Sequence, residues 1–231
     1  MARKFLFTGG DGNLCSELKK LDIKNHIFFN KNELDITDYS NVEEIFLNTD
    51  FDILVHTAAL TRPMIIHDKN PVKSIDTNII GTSNIVKACI KFKKKIIYIS
   101  TDYVYGPGEN FDEHSPVKPC NKYSWSKLGG ECAVMMHDDH LILRVAMTQF
   151  PFPHKFAYTN IFKSSIWIDE MPEMLLKCID LNGILNIGNQ SQSIYDFVSS
   201  RQKNILPKVA TEEEKTKSFS ISMDLTKLNN L

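Results

Sequence analysis

Lys4-Phe5-Leu6-Phe7-Thr8-Gly9-Gly10-Asp11-Gly12-Asn13-Leu14 is the stretch that decides the fold class. A short apolar run passes into glycines and then into Asn13–Lys20, where Leu14, Leu18 and the following Leu21 share one helical face. A strand that turns through glycine into a helix lets backbone approach a pyrophosphate closely. The helix then offers free N–H groups and a positive dipole end to the anion. The spacing is TGxxGxx, with Cys15 where a third glycine would stand. A plain structural turn is the competing reading of the glycines, and a small buried packing residue that of Cys15.

Outward from this turn the chain alternates. Strand-like runs at His26–Phe29, Asp52–His56, Ile96–Ser100 and Leu141–Val145 are separated by helical segments at Tyr39–Asn48, Pro71–Phe92 and Asn121–Met136. Such alternation implies βαβ units and a parallel sheet covered on both faces. The expected fold is therefore α/β, a Rossmann-type doubly wound parallel sheet with a small, reduced C-terminal lobe. The expected division is 1–146 for the dinucleotide-binding domain and 147–231 for a shortened lobe that does not fold by itself. Within that lobe Gln149–Tyr158, rich in aromatics and proline, reads as a loop or lid. Glu170–Leu181 and Ser193–Ser200 read as helices, Gly183–Gly188 as a short strand, and the Lys/Glu-rich tail from Gln202 as partly mobile. No internal repeat or low-complexity tract is present.

Composition narrows the function. The 231 residues are 42% hydrophobic and 24% charged, which suits a globular chain rather than a disordered one. The net charge of −1 gives no field to attract a nucleic acid polymer or an anionic membrane. The cluster Lys91–Lys95 reads as cations at a helix C-terminus, where the dipole favours them. Five cysteines without a CxxC pair indicate reduced usage and a cytoplasmic location. No apolar run reaches a membrane span of about 20 residues. The apolar stretch after the basic start is too short for a signal peptide. His137 and His140 complete no metal site, and no metal is expected.

The chemistry centres on Tyr123 and Lys127, one helical turn apart and so on one face. That spacing suits a tyrosine acid whose phenolate an ammonium stabilises, drawing the phenol toward operating pH. With seven tyrosines and 27 basic residues, about one such pair arises by chance, so the context must carry the weight. Thr101 supplies it. It follows the fourth strand, and open α/β sheets bind ligands beyond the carboxyl ends of their strands. Its hydroxyl can share a carbonyl oxygen with Tyr123, while capping of a loop is the plainer role. After the second strand comes Asn30-Lys31-Asn32, with a cation and no acid before Glu33. This favours NADP(H) and leaves NAD(H) open, Lys31 being equally readable as solvated loop charge.

These residues resemble an extended short-chain dehydrogenase/reductase, and within that superfamily the dTDP-4-dehydrorhamnose reductase group. The matching pieces are Thr8–Glu17, Leu34–Asp38, His56–Ala59, Asn78–Thr82, Ser100–Gly106, Tyr123–Lys127 with Glu131, Leu143-Arg144 and Ser222–Leu228. The resemblance implies that Tyr123 protonates the oxygen of a nucleotide-linked 4-keto-6-deoxyhexose, that Lys127 holds the nicotinamide ribose, and that Thr101 orients the carbonyl. It further places Gly9, Gly12, Asn13 and Leu14 at the pyrophosphate and Asp35 and Ile36 at the adenine. Ala58, Ala59, Thr61 and Asn78 would line the path to the nicotinamide ribose, and Asp102 and Met147 would stand at the substrate. The activity implied is sugar-nucleotide reduction in deoxysugar synthesis.

Two departures stand out. Reductases of this group are usually markedly longer, and Met147 occupies a position where they often carry tryptophan. A non-catalytic NADP-binding regulatory subunit, which the superfamily also contains, is the rival reading. An epimerase or dehydratase is another, the latter marked by acids after the threonine, where this chain has Asp102. A homodimer through the two long helices is expected from the resemblance, although their apolar faces could equally be core.

Overall fold

The computed structural model describes residues 3–21 and 25–231; Met1 and Ala2 of the N-terminal stretch considered above lie outside it. The chain begins with β1 (Phe5–Thr8), α1 (Asn13–Lys19), β2 (His26–Phe29), α2 (Tyr39–Asn48) and β3 (Ile53–His56). Next come α3 (Ile65–Lys69), α4 (Pro71–Ser74), a π-helical segment Ile75–Gly81, α5 (Thr82–Phe92) and β4 (Lys95–Ile99). A 3₁₀ turn Asp102–Val104 and β5 (Gly108–Phe111) precede α6 (Lys122–Val134) and β6 (His140–Thr148). Then follow β7 (Phe156–Tyr158), β8 (Phe162–Lys163), β9 (Ser165–Trp167), α7 (Met171–Cys178) and β10 (Gly183–Ile187). The chain closes with β11 (Gln192–Ser193), α8 (Ile194–Arg201), β12 (Leu206–Lys208), α9 (Glu212–Lys217), β13 (Ile221–Met223) and α10 (Thr226–Asn229).

The main sheet runs β10-β6-β4-β3-β1-β2, all parallel, and β9 adds to the end of β6. Alternate strand residues feed two apolar layers, as a sheet buried on both faces requires. Phe5, Phe7, Ile53, Val55, Ile97 and Leu143 pack with Leu14 and Leu18 of α1 and Met171 and Leu175 of α7. Leu6, Leu54, Ile96, Tyr98 and Ile142 pack with Val42 and Phe46 of α2, Ile85 of α5 and Val134 of α6. This is the doubly wound fold expected from the sequence. The chain steps outward from β1 to β2 and returns to β3 on the other side of β1. That reversal opens a crevice at the carboxyl ends of β1 and β3.

Several elements differ from the sequence reading. The run Pro71–Phe92 is helical throughout but contains the π-helical segment Ile75–Gly81, a device common at functional sites. It carries Asn78, which is buried and bonded to neighbours outside its own helix. The strand after Leu141 continues to Thr148 because β9 pairs with Ala146–Thr148. The stretch Gln149–Tyr158, read as a loop, ends in β7, which pairs with β12. The tail from Gln202 is packed: β13 lies between β8 and β5 with Ile221 and Met223 buried, and α9 opens on a Thr211–Glu214 capping box. Beyond residue 146, α7 and β10 complete the main sheet. The β11-β8-β13-β5 sheet and the β7–β12 pair build the smaller lobe over its carboxyl end.

Helix α6 sits very close to β4 at Gly130 and to the π-helical segment at Gly129, because these two residues lack side chains. A Cβ on Gly130 would fall 2.3 Å from the Tyr98 hydroxyl and 2.9 Å from the Asn78 carbonyl, and one on Gly129 would fall 2.9 Å from Ile79. Tyr98 is fully buried and cannot swing away. Gly130→Ala is therefore expected to destabilise the fold by about 1–3 kcal/mol, the usual cost of overpacking, despite alanine's better helix propensity. Chemical denaturation of the two proteins reads this directly.

Candidate active site

The glycine turn is built for close approach. Gly9 has φ +68°, and a Cβ there would fall 2.8 Å from the Cα of Ala58. The Gly10 N–H donates to the Phe29 carbonyl at 2.7 Å and the Gly12 N–H to the Gly9 carbonyl at 2.8 Å. Helix α1 begins after Gly12 with no side-chain cap, so its leading N–H groups are not met by a side chain. Cys15 is fully buried beneath the turn, and burial raises its thiol pKa; it packs rather than reacts.

The turn opens onto a cleft of about 900 Å³. Gly12, Asn13 and Leu14 line one end, Ala59 and Thr61 a side, and Thr101, Asp102, Tyr123, Lys127 and Met147 the middle. Of the residues singled out from the sequence, Gly9 and Ala58 lie below, packed on each other. Asp35, Ile36 and Asn78 do not line the cleft. Asp35 accepts from the backbone and hydroxyl of Thr37 at 3.0 and 2.7 Å, and Ile36 is buried in the core against Gly81. The Asn78 amide accepts from the Leu60 N–H at 2.7 Å and donates to the Leu60 carbonyl and the Ser126 hydroxyl at 2.9 and 2.8 Å. It braces the loop after β3 against α6.

Tyr123 and Lys127 stand in the first turns of α6, which Asn121 and Ser124 open with a capping box. The Lys127 ammonium lies 4.1 Å from the centroid of the Tyr98 ring, itself stacked on His56 at 5.7 Å. Burial pushes the Lys127 pKa down to about 7, with Glu131 opposing. Burial also raises the Tyr123 phenol; Asp102 adds to the rise and the Thr101 hydroxyl works against it. The direction is opposite to the lowering expected from Lys127. Desolvation decides both groups in the protein alone.

Two buried ion pairs support these residues. Behind α6, Glu131 accepts from Arg144 at 2.8 Å and from the Ser100 hydroxyl at 2.5 Å. At the cleft, the Lys163 ammonium donates to Asp102 at 2.8 Å, and Thr101 donates to the same carboxylate at 3.1 Å. Lys163 was not found by sequence reasoning, nor were Arg62, His154 and Lys155, which also line the cleft. They stand in segments without motif or periodicity, and only the folded chain brings them to the strand ends. Among the described residues no group of three or more His, Cys, Asp or Glu could hold a metal ion, and no helix is long and apolar enough to cross a membrane.

Fold and crevice together define a Rossmann-type doubly wound α/β protein with an open crevice at its strand ends. A family model described as "RmlD substrate binding domain" matches residues 3–156, two thirds of the chain, and the chain belongs to that family. A dTDP-4-dehydrorhamnose reductase of Mycolicibacterium smegmatis is 33% identical over 63% of this chain and 46% of its own length. A dTDP-D-glucose 4,6-dehydratase of Dictyostelium discoideum is 34% identical over 59% of this chain and 33% of its own length. The matches thus span less than half of these relatives. Among solved structures, dTDP-4-dehydrorhamnose reductase of Bacillus anthracis in complex with NADP superposes with a TM-score of 0.88 at 24% identity. That likeness covers 99% of this chain and 92% of the other.

Proposed function

We propose that this chain is an NAD(P)H-dependent reductase of a nucleotide-linked 4-keto-6-deoxy sugar. The observation that carries the reading is the convergence of Thr101, Tyr123 and Lys127 on one cleft that runs into the glycine turn. The turn fits a dinucleotide because glycine is required where backbone meets backbone, and α1 presents uncapped N–H groups there. Gly12, Asn13 and Leu14 would hold the pyrophosphate, and Lys127 the nicotinamide ribose. Hydride for C4 comes from the reduced nicotinamide when it is bound. Tyr123 gives its phenolic proton to the developing O4 alkoxide. On substrate binding the Thr101 hydroxyl would turn its one proton from Asp102 to the same oxygen and so fix its position for that transfer. Ala59, Met147 and the lobe side chains of the cleft exclude water from the reacting face.

One observation weighs against the dehydratase alternative. The Asp102 carboxylate is taken up by Lys163 and Thr101 and is 2% exposed, so it is not a free acid beside the sugar. The end of β2 favours NADP(H). Lys31 is exposed there, while the Glu33 carboxylate turns back to accept from the Asn30 N–H at 2.8 Å. An exposed cation thus stands at the end of β2, with the Asp35 carboxylate acting on it, while the Glu33 carboxylate is engaged by the backbone. The five free cysteines suit a reducing, cytoplasmic compartment. Two copies would pair through the helices that expose Val72, Ile75 and Ile80 on one side and Trp125 on the other.

Three outcomes follow. Tyr123→Phe should bind NADPH as the parent does and lose about 10²-fold or more of its turnover with dTDP- or UDP-linked 4-keto-6-deoxyhexoses. Full turnover in that variant would sink the mechanism; tight NADPH binding by the parent with no turnover would favour a binding subunit. Lys31→Ala should weaken NADPH about tenfold and leave NADH unchanged in fluorescence titrations, as expected for one lost phosphate contact. Ile75→Glu should convert a dimer to a monomer in light scattering, and a parent that is already monomeric would refute the pairing.

A further inference from the structure

Lys163 is the buried cation of the cleft that the reaction as written does not use. It stands on β8, paired with Ile221 of β13 and Gln192 of β11, so its backbone is held from both sides. Its side chain is 7% exposed and that of Asp102 is 2% exposed. Among the described residues each is the other's one ion-pair partner. The ammonium meets Asp102 Oδ2 at 2.8 Å while Thr101 donates to Oδ1 at 3.1 Å, and Thr101 accepts from the Tyr103 N–H at 3.3 Å. The same ammonium lies 4.0 Å from the centroid of the Tyr103 ring and 5.5 Å from that of Phe219. The Tyr103 ring in turn meets the Tyr123 ring edge-on at 6.3 Å. One cation therefore touches Asp102 and Tyr103, two of the groups through which the turn after β4 reaches Tyr123.

We infer that Lys163 is a positioning residue for proton donation by Tyr123, acting through Asp102: it cancels the buried carboxylate beside the phenol and holds the Thr101 hydroxyl in place. The inference rests on the reductase reading for its role in turnover, but not for the electrostatic coupling itself. Tyr123 becomes an anion when it gives up its proton. A second, uncompensated anion one residue from Thr101 would oppose that step, because like charges in a dry site disfavour each other's ionised form. The other groups that face Tyr123 are Thr101, Tyr103, Arg62, the Tyr98 phenol, the His67 ring 5.1 Å away, and the Lys127 ammonium one turn along α6. Arg62 is shared with Gln149, and burial keeps the His67 pKa below its usual value. Asp102 is the one carboxylate among them, and Lys163 is its counter-charge.

The test reads Tyr123 itself. Protein labelled with ¹³C at tyrosine Cζ is titrated with pH in the presence of NADP⁺, and the Tyr123 resonance is assigned from its loss in Tyr123→Phe. In Lys163→Met the ionisation midpoint of Tyr123 should rise by about one pH unit, a tenfold smaller phenolate fraction at fixed pH. In Asp102→Asn it should fall, and in Asp102→Asn/Lys163→Met it should return close to the parent value. A residue that merely packs would leave the midpoint alone or move it the same way in every variant, and either result overturns the inference. If Lys163→Met does not fold, Asp102→Asn decides: a fall supports the inference and no change overturns it. A parent Tyr123 that does not ionise below about pH 11 overturns it too, since no poised phenol is then present. If the midpoints move as stated while no 4-keto sugar oxidises NADPH, the reductase reading fails and the coupling stands. If NADP⁺ does not bind the parent, both fall.

Discussion

The Glu131–Arg144 ion pair is the contact on which the geometry of the cleft depends. Glu131 lies on α6, Arg144 on β6, and Ser100, whose hydroxyl also donates to Glu131, directly follows β4. Tyr123, Lys127 and Glu131 recur every fourth residue along α6 and so share a face. The pair that locks Glu131 into the sheet therefore also sets where the two upstream side chains stand. Thr101 follows Ser100 directly, so Thr101 and the Tyr123–Lys127 pair are referred to the same buried carboxylate. Such a pair gains little over apolar packing, yet losing one partner costs about 3–5 kcal/mol. Its value here is in geometry. Arg144 is further fixed by the Tyr105 ring, 4.8 Å from its guanidinium carbon, and Tyr105 donates to Asn186 on β10 at 2.8 Å.

Close packing carries that constraint to the site. Because Gly129 and Gly130 present no side chains, α6 can rest on Ile79 and Tyr98. The Tyr98 ring then forms the floor beneath the Lys127 ammonium and is itself backed by His56. His56 is buried between the hydroxyls of Thr8 and Thr82, at 2.8 and 3.1 Å, and burial holds its pKa down to about 3. It is a neutral strut joining β1 and β3 to α5. A charged imidazolium there would repel Lys127. The same dryness that keeps His56 neutral weakens the charge on Lys127 and the acidity of Tyr123, so a ligand's own charge and hydroxyls must complete the electrostatics of the site.

What was legible in the sequence is what short range determines. The β1–glycine–α1 turn, the apolar strands of the main sheet and the Tyr123–Lys127 spacing are each written within a dozen residues, and the structure places them as read. After residue 146 the helices read at Glu170–Leu181 and Ser193–Ser200 and the strand at Gly183–Gly188 stand where expected, as α7, α8 and β10, but the short strands of the lobe were not legible. Its strands β8 and β11 have two residues each, too few to show a period, and they exist because β13 and one another supply partners. Lys163 meets Asp102 across 61 positions, a contact that neither residue announces. Ile36 and Asn78 show the converse. Their neighbourhoods match a cofactor-binding pattern, but the side chains turn into the core and onto Leu60 and Ser126, where they shape the cleft from behind.

The two buried ion pairs divide the work between the halves of the molecule. Arg144–Glu131 joins elements of the main sheet and its covering helix, and is complete without the lobe. Lys163–Asp102 joins the lobe to the turn after β4, and the central strand of the lobe, β13, pairs with β5 just beyond that same turn. The lobe is therefore more than a cover for the cleft. Through β5 and Lys163 it holds the residues that flank Thr101, so its short strands are tied to the turn after β4 as well as to the cleft wall. Few and short as they are, the strands of the lobe include those that reach this turn: β8 carries Lys163 and β13 pairs with β5.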